Sequence, residues 1–230
     1  YPNRSRCVEP ENKRTCKHAL SFVSRYSGER IYLSNTADPL PLNNANICID
    51  GSTQNGGKVT VSRPSATSNT DHSVFLFVNG PNLLRGGKPQ PAEFCLYNLA
   101  IEGGYSAITD QVDLQSRPQF ASSFVQMDVV NCHFEDQGND SIRWNDVTVS
   151  LLRVVGSTFF DCGDDFVDVQ IAGTDGYNAN KIEIVNSHFE KSGGECVSID
   201  GPSPPTYNIR RRTNCLMSSF YSLNILDALI

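Results

Sequence analysis

Four acidic side chains in the middle of the chain are the residues whose type and spacing could do chemistry. Asp164, Asp165 and Asp168 lie in the segment CGDDFVDV, and Asp140 precedes them in the segment NDSI. Carboxylate oxygens are the ligands that calcium prefers, and water or a ligand's own carboxylate completes such a site. The sequence therefore predicts a calcium site formed by Asp140, Asp164 and Asp168. The competing interpretation is ordinary turns, in which Asp is common, together with a surface ion pair between Asp168 and Arg143.

An internal repeat is what would bring these acids together. The segments VVNCHFE, VVGSTFF and IVNSHFE align so that Phe134, Phe159 and Phe189 share one column, and a second apolar segment begins eight residues after each phenylalanine. Repeats of this length indicate a solenoid. Inside each copy, apolar and polar residues alternate with a period of two, which favours strands over helices.

The simplest fold with these features is all-β, a parallel β-helix in which each copy forms one coil. Equivalent residues of successive coils would then stack about 4.8 Å apart, with the phenylalanines as an internal ladder. We predict a single domain over 1–230, with β-helix coils over 31–220. An antiparallel β-sandwich is the alternative, but it does not account for the constant offset of eight residues.

The two ends of the chain have patterns of their own. The segment TCKHALSFVSRYSG carries apolar residues at helical spacing, which predicts a short capping α-helix over about 12–28. The chain closes with the apolar segment SLNILDALI. Because exposed strand edges invite pairing, we expect 221–230 to be a tail, a second cap or the contact site of a protein partner.

Alternation along the strands predicts the neighbours of Asp168. The valines on either side of Asp168 are expected to face inward, so that its own side chain faces outward. Arg143 and Ser198 take the equivalent positions in the coils before and after. We therefore predict that Arg143, Asp165 and Ser198 contact a bound substrate or glycan.

Composition narrows the classes of partner and compartment. A net charge of −6 argues against nucleic acid, which needs a basic face, and no apolar run approaches the ~20 residues of a membrane-spanning helix. Eight cysteines without a CxxC pair favour disulfides in an oxidising compartment over a zinc site. With sequons at Asn3 and Asn139, this pattern predicts a secreted, extracellular or luminal glycoprotein. The alternative is a reduced protein with buried cysteines.

Three segments resemble the pectate lyase family. The run CGDDFVDV at 162–169 is similar to that family's Cys-x-Asp-Gly-Leu-[Leu/Val]-Asp stretch, with Asp165 in place of the turn glycine. The run DSI at 140–142 is similar to the family's Asp-Ala-Ile one coil earlier, and NSHF at 186–189 to its Asn-x-His-Phe one coil later. The resemblance implies a single-stranded, right-handed parallel β-helix.

The same resemblance implies a calcium-dependent activity. Asp140, Asp164 and Asp168 match the family's calcium ligands, and the calcium bridges the enzyme to the uronate carboxylates of an acidic polysaccharide. An arginine then abstracts the acidified proton in β-elimination. By position alone, Arg210 or Arg212 would supply that catalytic base.

The family's catalytic motifs are absent from the expected positions. Its lysine would fall near Gly194 or Glu195, and its downstream Arg-x-Pro-Arg-x-Arg signature does not occur. The run GDDFV at 163–167 also resembles the Gly-Asp-Asp-Cys-Ile of polygalacturonases, which hydrolyse with a carboxylate pair, but that family's His and its Arg-Ile-Lys are missing. We predict a pectate lyase-like protein that binds or cleaves an acidic polysaccharide. The alternative is a non-catalytic β-helix that binds carbohydrate or protein as a subunit of a larger assembly.

Overall fold

The structure of this protein is a computed structural model, and the residues that it describes are mostly β-strand with almost no helix. No helix in the part of the chain that it describes is long and apolar enough to cross a membrane. The described residues are 18–21, 30–34, 37, 39–43, 47–52, 57–67, 72–78, 83–85, 88–90, 92–109, 124–171, 181–200, 206–210 and 214–216.

Most strands are short, as expected for a chain of short apolar runs separated by Gly, Asn, Asp and Ser. In chain order they are β1 (His18–Ser21), β2 (Arg30–Tyr32), β3 (Leu40–Asn43), β4 (Ile47–Asp50), β5 (Val59–Ser62), β6 (Phe75–Val78), β7 (Leu83–Arg85), β8 (Lys88–Gln90), β9 (Ala92–Tyr97), β10 (Leu99–Glu102), β11 (Ile108–Thr109), β12 (Phe124–Val130), β13 (His133–Gln137), β14 (Ile142–Val155), β15 (Thr158–Cys162), β16 (Val167–Ile171), β17 (Lys181–Val185), β18 (His188–Ser192), β19 (Ser198–Asp200), β20 (Thr206–Arg210) and β21 (Asn214–Leu216).

Parallel pairing arranges these strands in three stacks, so that successive coils lie on one another. The first stack is β1, β4, β9, β12, the C-terminal part of β14, β17 and β20. The second stack is β2, β5, β10, β13, β15, β18 and β21. The third stack is β3, β6, β11, the N-terminal part of β14, β16 and β19. Only the short β7–β8 hairpin is antiparallel among the paired strands described. This arrangement is consistent with the predicted parallel β-helix-like solenoid.

The predicted phenylalanine ladder is confirmed at the centre of the second stack. The ring centroids of Phe134 and Phe159 are 4.6 Å apart, and those of Phe159 and Phe189 are 4.7 Å apart, with the rings nearly parallel. All three side chains are buried. Such stacked pairs contribute about 0.5–1.5 kcal/mol each beyond the burial of their area.

Asparagines form a second ladder at the turn between the first and second stacks. Asn98, Asn131 and Asn186 have φ angles of 53°, 52° and 52°, in the left-handed region that Asn tolerates better than most residues. The Asn131 side-chain amide donates to the Asn98 Oδ1 at 2.6 Å. Gly156, with φ 58°, takes the same turn position in the coil between Asn131 and Asn186. The ladder is therefore interrupted at one coil.

The capping helix predicted over 12–28 is wrong at 18–21, where the chain forms β1. Ala19 stands opposite Cys48 in a parallel pairing with β4. Pairing with a neighbouring strand satisfies the backbone of this segment, and such tertiary contacts override local helical spacing. The remainder of 12–28, and the tail at 221–230 with its predicted partner surface, lie outside the described residues.

Disulfides do not form at four of the cysteine positions. Cys48, Cys95, Cys132 and Cys162 are buried and are not joined in disulfides, as in the alternative interpretation of the cysteines. Burial raises the pKa of Cys132 to about 11 and the pKa of Cys162 to about 12, so both thiols stay protonated and unreactive at neutral pH. Disulfides among the other cysteines stay a prediction.

Completing the asparagine ladder should stabilise the protein. A Cβ added to Gly156 meets nothing within 4 Å, and Asn already adopts this conformation in the neighbouring coils. We expect Gly156→Asn to raise the free energy of unfolding by about 0.4–1 kcal/mol, which corresponds to a Tm increase of about 1–4 °C in thermal denaturation followed by circular dichroism.

Gly163→Asn is the matched contrast for that substitution. A Cβ at Gly163 would lie 2.2 Å from the carbonyl oxygen of Gly138, so this variant should lose stability. A lower Tm for Gly156→Asn than for the wild type would contradict the ladder.

Candidate functional site

Glycines bring the turns between the second and third stacks into close contact. Gly138, Gly163 and Gly193 begin this turn in three successive coils. A Cβ at Gly163 would lie 2.2 Å from the Gly138 carbonyl oxygen, and one at Gly193 would lie 2.1 Å from the Gly163 carbonyl oxygen. The turns can approach this closely only because these residues have no side chain.

The close turns carry three carboxylates that meet in space. Asp140, Asp164 and Asp165, hereafter the aspartate trio, each offer one oxygen, and these oxygens lie within 4.8 Å of one another. The register between the strands explains why these carboxylates lie close together. Ile142 pairs with Val167, so Asp140 and Asp165 hold the same position in successive coils, and Asp164 precedes Asp165 in the same turn.

Asp168 is not part of this trio. It stands opposite Arg143 in the third stack, and its Oδ2 lies 3.9 Å from the Arg143 Nε. The Arg143 Nε also lies 3.5 Å from the Asp140 Oδ2. The surface ion pair expected by the competing interpretation is therefore present. Asp165, predicted as a substrate contact, takes the place in the cluster that we predicted for Asp168, whose role as a metal ligand stays a prediction.

The Asp140 carboxylate is buried and well hydrogen-bonded. Its side chain is 2% exposed, its Oδ1 accepts from the Asp165 backbone N–H at 3.0 Å, and its Oδ2 accepts from the Asn139 amide at 2.8 Å. Burial raises the pKa of Asp140 to about 7, although the Asp165 N–H and Arg143 act to lower it. These contacts therefore offset only part of the cost of burying the charge, and a nearby cation would favour the ionised form.

Asp165 has a similar environment. Its Oδ1 accepts from the Glu195 backbone N–H. Burial nevertheless raises the pKa of Asp165 to about 6, and the nearby Asp164 and Asp168 act in the same direction. Two members of the trio are thus carboxylates whose ionised form lacks a full counter-charge.

Gly194 keeps space open beside the trio. A Cβ at this position would lie 2.3 Å from the Asp165 Oδ1 and 2.5 Å from the Asp164 Oδ1, so a side chain there would press on both carboxylates. An all-oxygen set of donors suits a hard cation such as calcium or magnesium. Calcium takes about six to eight oxygens, so water or ligand oxygens would have to complete the shell.

The other predicted site residues lie at different distances from the trio. Ser198 stands opposite Asp168 in β19 and is half-buried, one coil beyond the ion pair with Arg143. Arg210 lies at the end of β20, opposite Val185 in the first stack, whereas the trio precedes the strands of the third stack. Arg212 lies outside the described residues. A catalytic role for either arginine stays a prediction.

A groove along the second stack is a feature that the sequence analysis missed. Its volume is about 650 Å³, and its lining includes the exposed Tyr32 together with four carboxylates. The signal that could have revealed it is the alignment of Glu102 with Glu135 at one outward position. The acids there are spread over three coils and not concentrated in one motif.

Comparison with family models, with curated proteins and with solved structures finds no match for this chain. The likeness to pectate lyases rests on the short motifs described above, and the function has to be argued from the geometry of the site.

The raised pKa of Asp140 predicts how stability changes with pH. Between its ordinary value of 3.8 and its folded value of about 7, the folded protein holds a proton that the unfolded chain has released. This carboxyl therefore stabilises the fold fully below about pH 4, and the contribution is lost as the pH rises through about 7. Asp165 adds a loss in the same direction, through about pH 6.

In the presence of a chelator, the Tm of the wild type should consequently fall between about pH 4 and pH 7, the window from the ordinary carboxyl pKa to these two raised pKa values. Asp140→Asn should make that fall smaller. The control Asp161→Asn changes an exposed carboxylate outside the trio and should leave the fall unchanged. Equal falls in the wild type and Asp140→Asn would show that the buried carboxyl does not titrate in this way.

Proposed function

We propose that this chain is a β-helix-like protein that binds an acidic polysaccharide through calcium held by the aspartate trio. The observation that carries the proposal is the convergence of three carboxylates from adjoining coils beside Gly194, where a side chain has no room. An acidic protein repels a uronate chain, since both carry negative charge. A calcium ion between them removes that repulsion by accepting oxygens from both sides.

Arg143 supports a polyanionic ligand at the same place. Its guanidinium lies beside Asp140 and Asp168 and remains partly accessible. Guanidinium groups bind carboxylates through strong, charge-assisted hydrogen bonds. In this proposal, Arg143 and Ser198 contact the uronate residue next to the one that shares the calcium.

Binding, and not cleavage, is the activity that we assign to this site. β-Elimination needs a base beside the acidified carbon. Among the described residues, the arginine that contacts the trio is Arg143, and its guanidinium is engaged by two carboxylates and not free to abstract a proton from a substrate. Cleavage by Arg210 or Arg212 follows only from the resemblance to pectate lyases.

A secreted or luminal location belongs to the same proposal. Sites with few protein oxygens bind calcium weakly, with dissociation constants of about 10⁻⁴–10⁻³ M for extracellular modules. Such a site is filled where free calcium is abundant, and acidic polysaccharides occur in the same surroundings.

Calcium should stabilise the protein through Asp164. At a calcium concentration of 100 times the Kd, binding adds about 2.7 kcal/mol to the free energy of unfolding, or about 5–10 °C in Tm. Asp164 is exposed, and its carboxylate makes no hydrogen bond with another described residue. Asp164→Asn should therefore fold normally and lose most of the calcium-dependent shift, whereas Glu190→Gln, outside the trio, should keep it.

Titration calorimetry with polygalacturonate and with alginate then tests the ligand. We expect binding in calcium, loss of binding in chelator, and at least about tenfold weaker binding by Asp164→Asn. Ultraviolet absorbance of unsaturated products reports any elimination in the same samples. Absence of both a calcium-dependent Tm shift and binding to either polymer would refute the proposal.

A further inference from the structure

The groove on the outer face of the second stack is long and regular. Its lining passes from Tyr32 on β2 through Ser62, Glu102 and Glu135 on the next three strands, and reaches Asp161 on β15. Tyr32, Ser62, Glu102 and Glu135 occupy one register column. Four steps of about 4.8 Å make the groove about 19 Å long, parallel to the stacking direction. The aspartate trio is not part of its lining.

One end of the groove carries an aromatic ring that is held in place. Tyr32 is 75% exposed, and among the described residues it is the large hydrophobic side chain that faces solvent. The Arg30 guanidinium lies over this ring, 5.7 Å from its centroid. Arg30 in turn forms a two-pronged ion pair with Glu102, with the Nη2–Oε1 contact at 2.9 Å. The ring is therefore a fixed platform on which the flat, apolar face of a sugar ring can stack.

Negative charge dominates the lining. Four carboxylates stand against two arginines. One of the arginines, Arg63, is 3% exposed and donates to the carbonyl oxygens of Ser73 and Ala37, so it lies beneath the groove. The groove therefore favours a cationic ligand over an anionic one. The four carboxylates are Glu102, Glu135, Asp136 and Asp161.

Of these four carboxylates, Asp136 is the one that has no hydrogen-bonding or charged partner among the described residues. Glu102 has Arg30, Glu135 lies 3.1 Å from the His133 Nε2, and Asp161 lies 3.3 Å from the Lys191 Nζ. The Asp136 carboxylate makes no hydrogen bond or ion pair with any described residue.

The surroundings of Asp136 add to this imbalance. Partial burial raises the pKa of Asp136, and the nearby Asp161, Glu135 and Glu102 raise it further. An ammonium group paired with Asp136 would also lie near these three acidic neighbours and relieve the repulsion among all four carboxylates.

We propose that this groove binds a linear amino sugar chain, with Tyr32 stacking on one sugar ring and Asp136 and Asp161 pairing with ammonium groups further along. The carboxylates recur from coil to coil along the groove, with Glu102 and Glu135 in one column and Asp136 and Asp161 in the next, which suits a polymer with a regular repeat. A neutral glycan would form no ion pair with the Asp136 carboxylate, and a simple polyamine has no ring that could stack on Tyr32. The site is separate from the aspartate trio and needs no calcium.

Titration calorimetry in the presence of a chelator tests this inference, so its outcome does not depend on calcium. The probes are a β-linked glucosamine hexamer, its fully N-acetylated counterpart and spermidine. We expect the glucosamine hexamer to bind at least about tenfold more tightly than either of the others, and to bind more weakly as salt is added. Equal affinity for the two hexamers, or equal affinity for spermidine, would overturn the proposal.

Two variants separate the roles of ring and charge. Tyr32→Ala should weaken binding of both hexamers by about tenfold, and Asp136→Asn should weaken only the glucosamine hexamer by a similar factor. Glu190→Gln is the matched control, because Glu190 follows in the same outward column beyond the groove. Circular dichroism should show the same fold in all three variants, since Tyr32 and Asp136 are exposed. Unchanged affinity in Asp136→Asn would refute recognition of the ammonium group.

Discussion

The register between successive parallel strands is the constraint on which the rest of the structure depends. Phe134 pairs with Phe159, and Phe159 pairs with Phe189, so the rings stack inside the coils. A slip by one residue would turn every ring towards solvent, and the loss of buried area opposes it. The same register brings equivalent turn residues together, which is why the Asn131 amide meets Asn98.

Stacking like on like stabilises some columns and destabilises others. Phenylalanines and asparagines gain from contact with their own kind, through ring stacking and through amide hydrogen bonds. Carboxylates that lie close together in successive coils destabilise the fold, because their like charges repel each other. Burial is the main cause of the raised pKa values of Asp140, Asp165 and Asp136, and neighbouring carboxylates raise all three further. A bound cation would reduce the repulsion between carboxylates both at the aspartate trio and in the groove. Both proposed ligand sites follow from that reasoning.

The sequence predicts the core well because apolar residues repeat strictly. Phe134, Phe159 and Phe189 and the offset of eight residues were enough to indicate stacked parallel strands. The acidic site was predicted only in part. Asp140 and Asp164 do meet, but the third member of the cluster is Asp165 and not Asp168. Alternation with a period of two holds along a strand, whereas side-chain directions in a turn depend on its backbone conformation, which this alternation does not determine.

Two further misses have a different physical origin. The strand at 18–21 is set by pairing with β4, where Cys48 stands opposite Ala19. This partner is distant in sequence, so the local spacing of apolar residues carries no information about it. The groove depends on Arg30 and Tyr32 from β2. This strand shares with the later repeats only the alternation of polar and apolar residues. Both features arise from contacts between coils and not from any one segment.

A double-mutant cycle on the phenylalanine ladder tests the register most directly. Phe134→Leu and Phe159→Leu, alone and combined, give the coupling free energy from urea denaturation, and Phe134→Leu with Phe189→Leu gives the comparison across two coils. The account predicts a coupling of about 0.5–1.5 kcal/mol for the neighbouring pair and a value within about 0.3 kcal/mol of zero for the distant pair. Equal coupling in the two pairs, or none in the first, would contradict coils stacked in this register.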